Sequence, residues 1–424
     1  MYIFLGKKSY QLFILIIVIF SLLWKCSPTE TENEPDDITW TPVTEDVNGN
    51  LQDINGIQVM KLWGTAYEQG YAHGYLKAPD FVAFIDEYLA DPIARFNRND
   101  WETGLEMLDI FEYPAAYEDE LQGILDGMEA RAGGEVPIQA FQRVLTINDL
   151  RGLQSDLDKI QCSSFSAWGA MTSDGGTITG RNMDYDPIAV MMESQMIIVR
   201  IPSAISEKLA WVAISWPGEI GCTTGMNEEG VTVSQQDVYR YPPTATDRFT
   251  PDNLVHRLII ESAHAATVVQ NIENILQSHY VATGCAPMIS WPYTGDSTAS
   301  VVPEFDGKVS ITNGYSIRQP QEGQAFQIVA NHFRERIPPM QDCWRYNLIE
   351  NRLLQISASA GVEHVTTNVA WDLLANTPIA ETVSMHSVVF EPNKMLMHVA
   401  FSENGQHAPN CTKVTFDIGD LLTP

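Results

Sequence analysis

Apolar and polar positions along this chain follow two different periods, and the change falls at Gln161–Cys162. In residues 65–93, apolar or aromatic side chains recur every three and four positions, which predicts a helix. Residues 101–133 repeat that pattern. Residues 137–153 open on Pro137, a residue suited to the first turn of a helix. In this N-terminal part only GIQVMKLWG, residues 56–64, reads as a strand. From Cys162 onward, short apolar runs separated by turn residues predict strands. CSSFSAWGAM and TITGRNMDY flank TSDGG, which is the pattern of a hairpin. Further strands are predicted over 196–202, 208–216, 221–227, 230–238, 299–312 and 326–333. Residues 252–280, 342–356 and 366–376 return to helical period, and 384–402 make a last hairpin that turns at EPNK. Runs of helices and runs of strands imply an α+β fold, with sheets layered against helices.

The first residues follow neither period. Lys7 and Lys8 precede an apolar run of 13 residues, Leu12 to Trp24, and Cys26 comes next. Such a run fits a signal-peptide core and is short of the ~20 residues that span a membrane. Residues 1–26 are therefore expected to be an export signal. Cys26 is a candidate lipid-attachment site, although Trp24 and Lys25 stand where lipoproteins usually carry small residues. Between Lys25 and Lys61 no basic residue occurs, while eight carboxylates do. Residues 27–56 are accordingly expected to be a solvated, acidic tether. The expected location is the periplasm or outer surface of a bacterium.

Length adds that 424 residues suffice for a core without staples. The formal charge of −29 makes nucleic acid a poor partner. Besides Cys26 and Cys162 the cysteines are Cys222, Cys285, Cys343 and Cys411. Their spacing shows no zinc pattern, and buried thiols or one or two disulfides are expected. The chain has no GxSxG, HExxH, P-loop or dinucleotide fingerprint. His256, Glu261 and His264 can be drawn as a metal site on one predicted helix. A histidine on an amphipathic helix is more often a surface or core residue. No metal and no cofactor are expected.

The hairpin at Cys162 carries the candidate chemistry. A thiol becomes a good nucleophile when a cation lowers its pKa, and Arg181 and Asp184 lie on the returning strand. A base is still needed. It comes either from a histidine elsewhere in the chain or, if the chain is cut before Cys162, from the new α-amine, with an ordinary pKa of about 7.7–8.0.

CSSFSAWGAMTSDGGTITGRNMDY resembles the start of the mature chain in N-terminal-nucleophile amidohydrolases. The resemblance is to the peptidase C45 group, which includes the acyltransferase that makes penicillins. Choloylglycine hydrolases and acid ceramidase are more distant relatives. The likeness continues in LWGTAYEQGYAHGYLKA (62–78), WPGEIGCTTGMNEEGVTVSQQ (216–236), VANHF (329–333), CWRYNLIENRLL (343–354) and TVSMHSVVFEP (382–392). These segments follow the family's order. Ala330 stands where Thr is usual and Asp342 where Ser is usual. The Asn that choloylglycine hydrolases carry near Gln236–Asp237 is absent, which weakens any claim to bile-salt activity.

The resemblance implies a four-layer αββα sandwich made by self-cleavage between Gln161 and Cys162. Residues 57–161 would then be an α chain, and 162–424 the catalytic β chain. It makes Cys162 the nucleophile with its own amine as base, and Arg181 and Asp184 the groups holding thiolate and amine. Asn331 becomes the oxyanion donor, and Arg345 the residue bracing Asp184 and Asn331. The implied activity is cleavage of a linear, non-peptide amide through a thioester on Cys162, with hydrolysis favoured over transfer. The substrate is expected to be a small molecule with an apolar acyl group. The partner is the cleaved N-terminal chain, and membrane contact is limited to the lipid anchor. Two alternatives stay open: a phospholipase-B-like hydrolase of lipid esters, and an inert lipoprotein on the same fold.

Overall fold

The computed structural model describes residues 40–90, 111–136, 162–238, 249–281, 284–295, 298–306, 314–336, 342–378 and 382–423. The signal segment, Cys26, the tether up to residue 39, the predicted helix at 137–153 and Gln161 lie outside the described residues.

The chain enters through β1 (Gly49–Ile54) and β2 (Ile57–Gly64), a hairpin turning on Asn55–Gly56. Both turn residues have positive φ, 53° and 84°, as a two-residue hairpin turn requires. Residues 49–54 thus belong to a sheet, although their charge pattern predicts a tether. Helix α1 (Ala66–Ala90) follows and begins with a reciprocal cap, in which Glu68 Oε2 accepts from Thr65 N and Thr65 Oγ1 from Glu68 N. Helix α2 (Ala115–Ala132) packs on it at backbone distance. Gly70 and Gly74 face the carbonyls of Glu120 and Ile124, and Gly123 and Gly127 face those of Tyr67 and Tyr71. A Cβ at any of the four would sit 2.1–2.2 Å from a carbonyl oxygen, so only glycine fits. Of the predicted helix 101–133, residues 111–114 are not helical.

The Cys162 hairpin is β3 (Ser163–Trp168) and β4 (Thr177–Tyr185). The short helix α3 (Ala189–Glu193) leads to β5 (Met196–Pro202), β6 (Trp211–Ser215), β7 (Thr224–Asn227), β8 (Thr232–Ser234) and β9 (Asp237–Val238). Where one helix is predicted, two occur: α4 (Asp252–Ser262) and α5 (Val268–Leu276). Then come β10 (Gly284–Cys285), β11 (Met288–Ser290), β12 (Ser300–Phe305), β13 (Tyr315–Arg318) and β14 (Phe326–Ala330). Helices α6 (Trp344–Ala358) and α7 (Thr367–Ala375), strands β15 (Val383–Glu391), β16 (Leu396–Phe401) and β17 (Val414–Asp417), and helix α8 (Ile418–Leu422) complete the chain.

Among the described residues the strands form two sheets. One has eleven strands, running β1-β2-β5-β6-β7-β8-β11-β12-β10-β9 with β13 beside β12. The other is six-stranded, in the order β14-β3-β4-β15-β16-β17. The core clusters give the layering. Met60, Ile198 and Trp211 pack with Ala72 of α1 and with Ile259 and Ile272 of α4 and α5. Their strand neighbours Val59, Ile197, Val199 and Val212 pack the opposite way, on Val388, Val399 and Phe416 of the second sheet. The far face of that sheet takes Ile349 and Leu353 of α6 and Leu374 of α7. The order is therefore helices, sheet, sheet, helices, as the resemblance implies. Strands buried on both faces explain the near-continuous apolar runs.

Charge is also buried. Glu120 of α2 pairs with Arg200 of β5 at 2.6 Å and with Arg257 of α4 at 2.7 Å. Glu261 takes Arg257 at 2.7 Å and Lys208 at 2.7 Å. These pairs and the parallel β2–β5 ladder bind the N-terminal segment to the rest.

Candidate active site

Cys162 stands one residue before β3, between two neighbours. Ser163 pairs with Asn182 on β4 and with Ala330 on β14, so Asn331, just past the end of β14, comes level with Cys162. The thiol is buried, 2% exposed.

Arg181 and Asp184 are three apart on β4, an odd spacing that turns them to opposite faces of the sheet. They flank Cys162 rather than stand together. On the face toward the first sheet, Arg181 Nη2 lies 3.8 Å from Cys162 Sγ and donates to the Gln235 carbonyl at 2.9 Å. On the other face Asp184 accepts a short hydrogen bond from Ser384 Oγ at 2.5 Å. A bulge in β15 between Ser384 and His386 lets one strand serve both faces. His386 Nε2 meets Arg181 Nη1 at 3.1 Å. Because a guanidinium only donates, Nε2 is the acceptor, and the ring proton sits on Nδ1 and goes to Gln195 Oε1 at 2.8 Å. Thr224 Oγ1 also lies 3.0 Å from Nε2, so His386 links Arg181, Thr224 and Gln195.

Arg345 reaches in from α6. Its Nη1 donates to the Cys162 carbonyl at 2.5 Å, and Nη1 and Nη2 both approach Asn331 Oδ1 at 3.3 Å. That fixes the Asn331 amide with Nδ2 forward, donating one hydrogen to the Asp237 carbonyl at 2.8 Å. Arg345 therefore touches Asn331 with both terminal nitrogens, and its charge also acts on Asp184. The five candidate residues, Cys162, Arg181, Asp184, Asn331 and Arg345, converge on one place.

Electrostatics sets the resting protonation. Burial pushes the Cys162 thiol above its ordinary value, and Arg181 offsets this only in part. Burial likewise lifts Asp184 to about 6, against the pull of Ser384, Arg345 and Arg181. Asp184 Oδ2 is buried with no hydrogen-bond partner among the described residues. The site holds a protonated thiol and a half-satisfied carboxylate, and among the described residues no imidazole hydrogen-bonds the thiol.

Ser384, His386 and Gln195 are the parts that sequence reasoning missed as site residues. His386 reads from sequence as a buried hydrogen-bonding residue of TVSMHSVVFEP, and Ser384 lies in the same motif. Gln195 has no motif to mark it. The drawn metal site does not assemble: His256 is buried against Phe305, Glu261 serves Arg257 and Lys208, and His264 pairs with Glu229. Among the described residues, Asp237, Asp252 and Cys285 bring ligand-type atoms within 4.8 Å of one another. The Gln235 amide donates to both carboxylates and the Cys285 thiol to Asp252, so the cluster is held by hydrogen bonds. All five described cysteines are free thiols.

Two facing sheets between helical layers, with a buried thiol at the head of an inner strand, define the N-terminal-nucleophile hydrolase class. Within that class the chain belongs to the acyl-coenzyme A:6-aminopenicillanic acid acyl-transferase family, whose profile matches residues 171–406. The matched stretch contains Arg181, Asp184, Asn331 and Arg345 and begins after Cys162. The chain is 24% identical over 366 residues to an uncharacterized protein of Archaeoglobus fulgidus, covering 75% of this chain and 58% of the relative. It is 24% identical over 241 residues to protein dcd1B of Dictyostelium discoideum, covering 52% and 46%. The chain thus spans about half the length of the curated relatives it matches. Among solved structures, the Caenorhabditis elegans N-acylethanolamine-hydrolyzing acid amidase ortholog aligns with 60% of this chain and 99% of its own, at 15% identity and a TM-score of 0.40.

Proposed function

We propose that this protein is an exported cysteine amidohydrolase that cuts itself between Gln161 and Cys162 and then hydrolyses a linear amide. One observation carries the reading: Arg181, Asn331 and Arg345 all address Cys162 or the space beside it, while Asp184 keeps a buried oxygen unpaired. In self-cleavage the Cys162 sulfur adds to the Gln161 carbonyl carbon. The C–N bond breaks and its nitrogen takes the thiol proton, which leaves a thioester that water hydrolyses. The freed α-amine supplies the base, and Asp184 is the group to hold it.

In turnover that amine takes the Cys162 proton, and the sulfur attacks the substrate carbonyl. The second hydrogen of Asn331 Nδ2 meets the developing oxyanion. The amine product leaves with the proton, and water then releases the acid from the thioester. Cys162 belongs to an apolar cluster with Phe84, Ile85, Tyr88, Met183, Met191 and Trp216, which favours an apolar acyl group. Lipid attachment at Cys26, outside the described residues, would tether the enzyme to a membrane.

The first test is the intact mass and N-terminal sequences of the purified protein. Two chains, one beginning at Cys162, are expected, and a single chain retaining Gln161–Cys162 would overturn self-cleavage. A screen of matched lipid amides and esters then separates an amidase from an ester hydrolase. Asn331→Ala is expected to lower kcat by two to three decades, about 3–4 kcal/mol of transition-state stabilisation, with little change in KM. A fall in KM-linked affinity alone would remove Asn331 from the oxyanion role.

A further inference from the structure

Away from Cys162, a cavity of about 180 Å³ lies where the N-terminal segment meets the rest of the chain. Thr65 and Ala116, at the starts of α1 and α2, line one side, and Arg200, Ser203, Lys208 and Arg257 line the other. Its charge is unbalanced. Three cations stand against two carboxylates, Glu261 in the wall and Glu120 bonded to Arg200 and Arg257, and each carboxylate already serves two cations. Arg200 shares Glu120 with Arg257 and spends only Nη1, on Glu120 and on Gln69. Its Nε and Nη2 have no hydrogen-bond partner among the described residues, although the residue is 1% exposed. Buried guanidinium donors are rarely left unpaired. Helix α2 also begins here, with Ala116 in the wall and no side-chain cap, so the positive end of its dipole lies beside the cavity, offset in part by Glu118 in its first turn.

In a chain with a formal charge of −29, this wall thus carries one more cation than carboxylate: buried Arg200 and Arg257 match buried Glu120 and Glu261, and the half-buried Lys208 is the excess. Burial, reinforced by the neighbouring Arg257, lowers Arg200 from its ordinary value, while Glu120 and Glu261 raise Arg257, so the shared carboxylates serve Arg257 more than Arg200. We propose that this cavity binds a small oxyanion, a phosphate or a carboxylate, between Arg200, Lys208 and the N-terminus of α2. The cavity size suits such an ion with a few waters. Because its walls come from both sides of Cys162, the ion would clamp the N-terminal segment to the sheet. This inference does not rest on the reading of Cys162, and the Cys162→Ala protein should bind as the native one does.

The test is thermal melting and calorimetric titration of the full chain with inorganic phosphate and, separately, with acetate, at ionic strength held constant with sodium chloride. A saturable rise in Tm of roughly 2–5 °C with either anion is expected, and the anion that gives it names the ligand class. Lys208 is one-third exposed, so Lys208→Met should fold normally and bind about 10-fold more weakly. Arg200→Lys keeps the charge but loses the free donors, and should weaken binding at least as much. No saturable effect beyond chloride, or equal binding by the native protein and both variants, would overturn the proposal.

Discussion

Replacing Cys162 with alanine is expected to leave one uncut chain and amide turnover at background, a loss on the order of 10⁶-fold. The substitution removes one sulfur from an apolar cluster and no hydrogen bond between other residues. The small cavity it leaves should cost about 1 kcal/mol, so the variant should still fold. Its melting temperature, within a few degrees of the native value, is the control that makes the loss chemical. Two of the other described thiols are poorly placed to take over. Cys222 and Cys285 are fully buried, and burial drives Cys222 far above the ordinary thiol range. Cys162→Ser separates the steps further. A hydroxyl in that place keeps the geometry but holds its proton more tightly, so slow processing and weak turnover are expected. Processing or turnover that persists in Cys162→Ala would move the nucleophile elsewhere and end the thioester reading.

What the sequence revealed and what it concealed divide along a physical line. Period-3.6 spacing exposed α1, and apolar runs flanking TSDGG and EPNK exposed the Cys162 hairpin and the final hairpin, whose strands β3, β4 and β15 are buried on both faces. The break between α4 and α5 has no such signature. Glu229 reaches across to accept from the Ala265 amide and to bond His264, while Asn227 Nδ2 holds the carbonyls of Ile260 and Ala263. These contacts end α4 from outside, so local propensity could not show it. The acidic run concealed β1, although Asn55–Gly56 signals a tight hairpin once the charges are set aside. At the site, motif order located Cys162, Arg181, Asp184, Asn331 and Arg345. It could not show that Arg181 and Asp184 approach from opposite faces, since that depends on strand parity and on a bulge in β15. Nor could it find Gln195, whose part is to fix the His386 tautomer across the fold.

Glu120→Ala is expected to destabilise the protein by about 3–5 kcal/mol, because it strips Arg200 of its carboxylate and leaves Arg257 with Glu261 alone. Chemical denaturation measures this directly. The double variant Glu120→Met with Arg200→Met should recover much of the loss, since an apolar pair of similar volume removes the stranded charge instead of exposing it. A loss below ~1 kcal/mol for Glu120→Ala would show that water compensates these cations, contrary to their burial. The network also sets the acid limit. Burial alone would raise Glu261, but Arg257 and Lys208 outweigh it and hold the carboxyl at about 2 instead of 4.5. A lowered folded pKa stabilises the fold above the ordinary value, and that contribution is lost as pH falls from about 4.5 through 2. Stability should therefore drop across that window, and Glu261→Gln should flatten the drop. If the chain is cut at Cys162, the same ion pairs join two polypeptides, and Glu120→Ala should then release the N-terminal chain at a lower denaturant concentration than the native protein.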